Sequence, residues 1–195
     1  MWRKFRKDLE IGKKARPYFH RNFEHDFVLK YFPDLVYVNL HNFPVLDVGC
    51  CESLLMFELD KRGYDTFGVD MRIYEHKLPN DIKFIQADIT SPHFLTIFNQ
   101  IKFKMIVALS TIEHIGKKCY GKEPFENGDR LALENIHKVL NDNGYFIITV
   151  PGEAWHSDSG KGYSPKEFLR VINGLFDVFE ITNAGGQICA ALVKH

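Results

Sequence analysis

Three aspartates stand at the ends of apolar runs: Asp47 in PVLDVG (44–49), Asp70 in DTFGVD (65–70) and Asp88 in IKFIQAD (82–88). One such aspartate can simply cap the next turn. Three on successive runs also make a row of hydrogen-bond acceptors. Asp70 follows Asp47 by 23 residues, the spacing at which a carboxylate reads ribose hydroxyls in nucleotide sites. Gly49 can take a positive φ and admit a ligand close to the backbone. GCCES (49–53) is not a dinucleotide loop, since the third position of the glycine pattern is missing, and Glu52 at a helix start would repel a pyrophosphate. These residues suit a ligand with a ribose and a positive or zwitterionic end. A second group can move protons. Glu113 and His114 lie in STIEHIG (110–116), after a fourth apolar run, and His156 lies in PGEAWHS (151–157). Imidazole, with an ordinary pKa of about 6.5, suits a general base near neutral pH.

Positioning these residues requires a regular alternation of elements, and the sequence carries one. PVLDVG reads as a buried strand. Residues 53–62 read as a helix with Leu54, Leu55, Met56, Phe57 and Leu59, stopped at Gly63. DTFGVD and IKFIQAD are the next strands, a short helix over 92–99 follows Pro92, and KMIVALS (104–110) is the fourth strand. Ala132, Leu133, Ile136, Val139 and Leu140 recur at helical spacing over 128–140, and NDNG (141–144) is expected to end that helix. YFIITVP (145–151) is a fifth strand. Ser164, Pro165 and Glu167 form a capping start for a helix burying Phe168, Val171, Ile172 and Leu175. FDVFEIT and QICAALVK read as two strands joined through Gly185 and Gly186 as a hairpin. The pattern predicts an α/β protein with a mostly parallel sheet and one antiparallel strand near its end. Residues 1–43 stand outside the alternation as a helical and basic appendage, with a helix at about 21–31, and 44–195 form the domain. Ligands are expected beyond the carboxyl ends of the strands, at the switch point.

The composition fits a soluble globular chain: 45 % hydrophobic, 26 % charged and 17 Phe in 195 residues. No apolar run approaches the roughly 20 residues of a spanning helix, so no membrane span is expected. Lys plus Arg equals Asp plus Glu at 25 each, a balance that counts against a nucleic-acid partner. Residues 1–21 nevertheless hold eight basic side chains against two acidic ones, either a solvated arm or a contact for phosphate, anionic lipid or a partner. No apolar stretch of signal-peptide type follows them. Cys50, Cys51, Cys119 and Cys189 contain no CxxC pair, which predicts reduced thiols in a cytoplasmic protein, with no zinc site.

From about residue 44 to 195 the chain resembles class I S-adenosylmethionine-dependent methyltransferases, in their small type-11-like branch. The resemblance rests on VLDVGCCES (45–53), FGVD (67–70), IQADI (85–89), IVALSTIEHIG (106–116) and ALENIHKVLNDNGYFIITVP (132–151), in family order. One departure is Cys51, where the family usually has a second glycine. The resemblance implies a Rossmann-like three-layer α/β/α sandwich with a seven-stranded sheet, and S-adenosylmethionine as cofactor with S-adenosylhomocysteine as product. It implies that Asp47 orients the methionine ammonium and that Gly49 and Cys51 line the methionine moiety. Asp70 would bind the ribose hydroxyls and Met71 pack on the adenine. Asp88 would accept the adenine amino group, Ile89 cover the ring, and Leu109 and Ser110 lie under the sulfonium. Glu52 reads equally as a ligand contact or a cap.

The acceptor is expected to be a small hydroxylated molecule, such as a sugar or glycan intermediate, with His114, Glu113 or His156 as base. His114 also reads as a brace for its loop, and His156 as an exposed loop residue. Related metal-assisted enzymes carry an acid where this chain has Ser110, so no metal is expected. Two long loops, 115–129 and 151–163, flank the acceptor side, with Tyr120 and Trp155 available to stack on it or to anchor the loops. The alternatives are an RNA methyltransferase using the basic arm and Lys117-Lys118, or a protein that binds S-adenosylmethionine without turnover.

Overall fold

The computed structural model describes residues 19–32, 43–75, 77–79 and 81–195, with side chains from residue 23 onward. The basic stretch 1–18 lies outside the described residues, as does the side chain of Arg21.

Seven strands form one sheet: β1 (Pro44–Val48), β2 (Asp65–Asp70), β3 (Lys83–Gln86), β4 (Phe103–Leu109), β5 (Leu140–Pro151), β8 (Asp177–Ala184) and β9 (Gln187–Val193). Their order is β3-β2-β1-β4-β5-β9-β8. β1 to β5 run parallel, and β9 runs antiparallel to both its neighbours. The order reverses between β1 and β4, so the crevice of an open parallel sheet opens beyond their carboxyl ends.

Alternation of side chains along each strand supplies both faces of the sheet. On one face, Leu46, Val48, Ile106 and Phe146 pack with Phe94 of α3 (Pro92–Ile97), Leu133 and Ile136 of α4 (Gly128–Val139) and Phe168 of α5 (Pro165–Ile172). On the other, Val45, Met105, Val107 and Ile147 meet Phe27 and Val28 of α1 (Phe19–Leu29) and Leu55 and Leu59 of α2 (Leu55–Lys61). The result is three layers, as the resemblance implies. α1 comes from the segment that the sequence sets apart, and it is tied to the far edge strand. Lys30 Nζ lies 2.5 Å from Glu180 Oε1, and Tyr31 donates to the same carboxylate.

Local chemistry explains where elements stop. Ser91 and Ser164 each accept a backbone N–H two or three residues on, from His93 and Glu167, and a proline follows each at the first helical position. The helix expected over 53–62 is shorter than the pattern suggests. A single 3₁₀ turn, Cys50–Glu52, comes first. Ser53 is then extended, and its Oγ accepts the Leu55 N–H at 2.9 Å, so α2 begins only there. NDNG does not extend or cap α4, which ends at Val139. Those residues bulge within β5, where the pairing steps from Phe103↔Leu140 to Met105↔Tyr145. Asn143 takes φ 59, tolerable for Asn, and its N–H bonds Lys194 O at 2.7 Å. The 151–163 loop holds a miniature hairpin, β6 (His156–Ser157) with β7 (Gly160–Lys161).

Candidate functional site

A cleft of about 290 Å³ opens beyond the carboxyl ends of β1 to β4. Gly49, Glu52, Asp70, Met71, Asp88 and Ile89 line one part of it, and Ser110, Glu113 and His114 the other. The structure thus brings nine of the residues singled out in the sequence to one cavity. Four do not line it. Asp47 and Leu109 are buried within β1 and β4. Cys51 contributes its backbone N–H to Asp70 rather than a side chain to the cleft. His156 is exposed on β6, and its neighbour Trp155 lines the cleft instead.

Gly49 makes the opening possible. It sits at φ 77, and a Cβ there would lie 2.2 Å from Thr111 Oγ1. That hydroxyl contacts the carbonyls of Val48 and Leu109 at 3.2 and 3.0 Å, tying the ends of β1 and β4 together. Gly49→Ala combines left-handed backbone strain with overpacking, so it should cost about 2–4 kcal/mol. A urea midpoint unchanged from wild type would show that the junction yields without cost.

The two outer aspartates are engaged with cations. Asp70 accepts from the N–H groups of Cys51 and Arg72 at 3.0 and 2.9 Å, and from Arg72 Nε and Nη2 at 3.1 and 3.0 Å. Burial alone would raise its pKa. The Arg72 and Cys51 hydrogen bonds outweigh burial and hold the carboxyl below its usual range. Arg72 also reaches Glu52 at 2.6 Å and lies 4.3 Å from the centre of the Tyr120 ring. Asp88 accepts from Thr90 N–H and Oγ1 at 2.9 and 2.7 Å and pairs with Lys122 Nζ at 3.1 Å. Its pKa too is lowered, burial being outweighed by Thr90 and Lys122. The two pairs differ in weight. Lys122 is half exposed, and an exposed pair contributes about 0–1 kcal/mol. The Asp70 side chain is only 4 % exposed, so its contacts are the harder ones to exchange.

At the other end, His114 Nδ1 lies 2.6 Å from Ser159 O. A carbonyl only accepts, so Nδ1 carries a proton, and in the neutral ring Nε2 holds the lone pair. Nε2 is 3.9 Å from Oε1 of the buried Glu113. The rings of Tyr120 and Trp155 stand edge-on to the imidazole, with centroids 6.3 and 6.0 Å away. Gly160 lets the β6–β7 hairpin come this close, since a Cβ there would lie 2.7 Å from Trp155 and 3.0 Å from His114 Nδ1.

Three participants were not legible in the sequence: Arg72, Lys122 and Glu24. Glu24 of α1 is 1 % exposed, and its Oε1 accepts from Ser110 Oγ at 2.5 Å and Thr149 Oγ1 at 2.6 Å. The first two follow motif residues or sit in the flanking loop. Glu24 shows no signal beyond an acidic residue between Phe23 and Phe27 on an amphipathic helix. Among the described residues, no group of three His, Cys, Asp or Glu side chains could hold a metal ion, and no helix is long and apolar enough to cross a membrane. None of the four cysteines forms a disulfide.

The family model described as a methyltransferase domain matches residues 9–183. No curated protein matches the chain. Among solved structures, a TehB-like SAM-dependent methyltransferase from Corynebacterium glutamicum is similar at TM-score 0.63 and 18 % identity, over 100 % of this chain and 96 % of that one. The magnesium protoporphyrin IX methyltransferase from Synechocystis with bound SAH gives TM-score 0.63 at 12 % identity, over 98 % and 94 %. The Burkholderia thailandensis 1,6-didemethyltoxoflavin-N1-methyltransferase, with 1,6-didemethyltoxoflavin and S-adenosylhomocysteine bound, gives 0.62 at 14 %, over 94 % and 92 %. At such identities the likeness is one of fold.

Proposed function

The chain belongs to the methyltransferase-domain family, with S-adenosylmethionine as its cofactor, and from that premise we propose that it methylates a hydroxyl of a small acceptor, such as a sugar or glycan intermediate. The observation that carries the reading is the convergence, in one cleft, of two strand-end carboxylates at one side and an imidazole held through Nδ1 by Ser159 O at the other. The residues fit the cofactor. Asp70 holds an ionised carboxylate at the end of β2, suited to a ribose diol, and Met71 and Ile89 offer apolar cover beside it. Asp88 offers an acceptor at the end of β3 for an adenine amino group. Gly49 keeps the backbone bare where the methionine moiety would lie.

Bound S-adenosylmethionine supplies an already activated methyl group, so the protein's own work is placement and proton removal. His114, fixed in one tautomer by Ser159 O, accepts the acceptor's hydroxyl proton at Nε2. The buried Glu113 carboxyl lies 3.9 Å from that nitrogen. Tyr120, Phe125 and Trp155 line the same part of the cleft and give the acceptor apolar surface to rest on.

Calorimetry should give a micromolar Kd for S-adenosylmethionine, about −7 to −8 kcal/mol. Incubation of the enzyme with ¹³C-methyl cofactor and a panel of sugars, phenols and amines should then yield a product with an O–CH₃ carbon by NMR. An exclusively N–CH₃ product would overturn the hydroxyl assignment. Absence of binding to either form of the cofactor would overturn the whole reading.

A further inference from the structure

Glu24 is a buried carboxylate that the reaction as described does not use. It comes from α1, crosses to the carboxyl ends of β4 and β5, and engages both. Ser110 Oγ and Thr149 Oγ1 each donate to Glu24 Oε1, at 2.5 and 2.6 Å. Thr149 in turn accepts the Ser110 N–H at 3.0 Å on its hydroxyl, and that N–H also meets the Thr149 carbonyl at 3.0 Å. These bonds close a ring around Ser110, which sits at φ 44. A left-handed backbone at a non-glycine residue costs about 1–3 kcal/mol and persists only where its surroundings enforce it.

The ring has a directional result. A hydroxyl owns one proton. Ser110 commits its proton to Glu24, away from any ligand, so the oxygen turns lone pairs outward, and Ser110 lines the cleft. An oxygen held in this way accepts but does not donate. It is backed one bond away by a carboxylate, which deepens the negative potential there. Such a spot favours a cation.

We propose that Glu24 is a positioning residue that acts through Ser110 to hold the cationic methionine end of the cofactor, making α1 part of the cofactor site. This rests on the cofactor assignment above. Glu24 does not touch the ligand. It fixes the orientation of the hydroxyl that does.

The test compares two ligands that differ only at that end. S-adenosylhomocysteine carries the ammonium, and adenosine lacks the whole amino-acid arm. Glu24→Ala should raise the Kd for S-adenosylhomocysteine about tenfold and leave that for adenosine within twofold. Glu24→Gln keeps an oxygen able to accept both hydroxyl protons, so it should stay within threefold of wild type for both. Ser110→Gly keeps the left-handed backbone without strain and removes the hydroxyl. It should reproduce the Glu24→Ala pattern, and the double variant should add nothing further. Equal losses for both ligands, or none for either, in Glu24→Ala and Ser110→Gly would overturn the proposal while leaving the cofactor assignment standing. If wild type binds neither ligand, the assignment itself fails and this inference with it. Should Glu24→Ala not fold, Ser110→Gly alone decides.

Discussion

His114→Ala is expected to lower kcat by roughly 10²–10⁴-fold, which is about 3–5 kcal/mol of barrier, while S-adenosylhomocysteine affinity changes little. The geometry behind this is specific. Ser159 O holds the Nδ1–H, which leaves Nε2 as the acceptor of the neutral ring, and His114 lines the cleft. Asn in place of His114 separates the two roles of the ring. Its amide can still donate to Ser159 O, so a residue serving only to brace the loop would be rescued in both melting temperature and rate. Wild-type turnover by His114→Asn would reassign the proton transfer to another group.

The second large effect concerns cofactor affinity. Asp70→Ala should weaken S-adenosylhomocysteine binding by about 1.5–3 kcal/mol, because it removes an ionised acceptor from a partly buried site. Arg72 opposes part of this gain in the wild type, since it holds the same oxygens, and calorimetry on Arg72→Ala should show equal or tighter binding. Looser binding there would mean that the guanidinium helps hold the ligand. The same pair sets an acid dependence. The folded pKa of Asp70 lies below its unfolded value of about 3.9. Its contribution to stability is therefore complete above the unfolded pKa and is lost as pH falls through the folded one. Asp70→Ala should flatten the stability profile in that window and leave its shape near neutrality unchanged.

The sequence revealed the sheet because each strand is a short apolar run with its own stop, and because the loop residues keep their types. Gly49, Asp70 and Asp88 were legible at strand ends, where the alternation had already said ligands belong. The boundaries that moved did so through single side chains. The Ser53 hydroxyl delays α2, and Asn143 in a left-handed turn lets β5 bulge where a helix stop was expected. The β6–β7 hairpin was hidden because four paired residues carry no periodicity. The sequence position of His156, after the fifth strand, suits it to chemistry, but it pairs opposite Lys161 in the hairpin and stays exposed. Arg72 and Glu24 were invisible for a different reason. Glu24's partners are 86 and 125 positions away, and no local pattern encodes a contact between a helix and a strand end that far along the chain. Arg72 lies two residues from Asp70 and 20 from Glu52, but an arginine just beyond a strand carries no mark of which carboxylates it will hold.

Those separations also order events in time. Glu24 meets Ser110 and Thr149, and Lys30 and Tyr31 meet Glu180. At about 5–20 residues per second, a ribosome makes α1 roughly 8–30 s before it makes the edge strand that α1 binds. An 11-residue helix is marginal alone in water, so α1 has no stable place until β4, β5 and β8 exist. The first of these helices to be synthesised is thus among the last to dock. During that interval Glu24 stays hydrated, and the pocket floor it organises is assembled only when the nascent sheet is nearly complete.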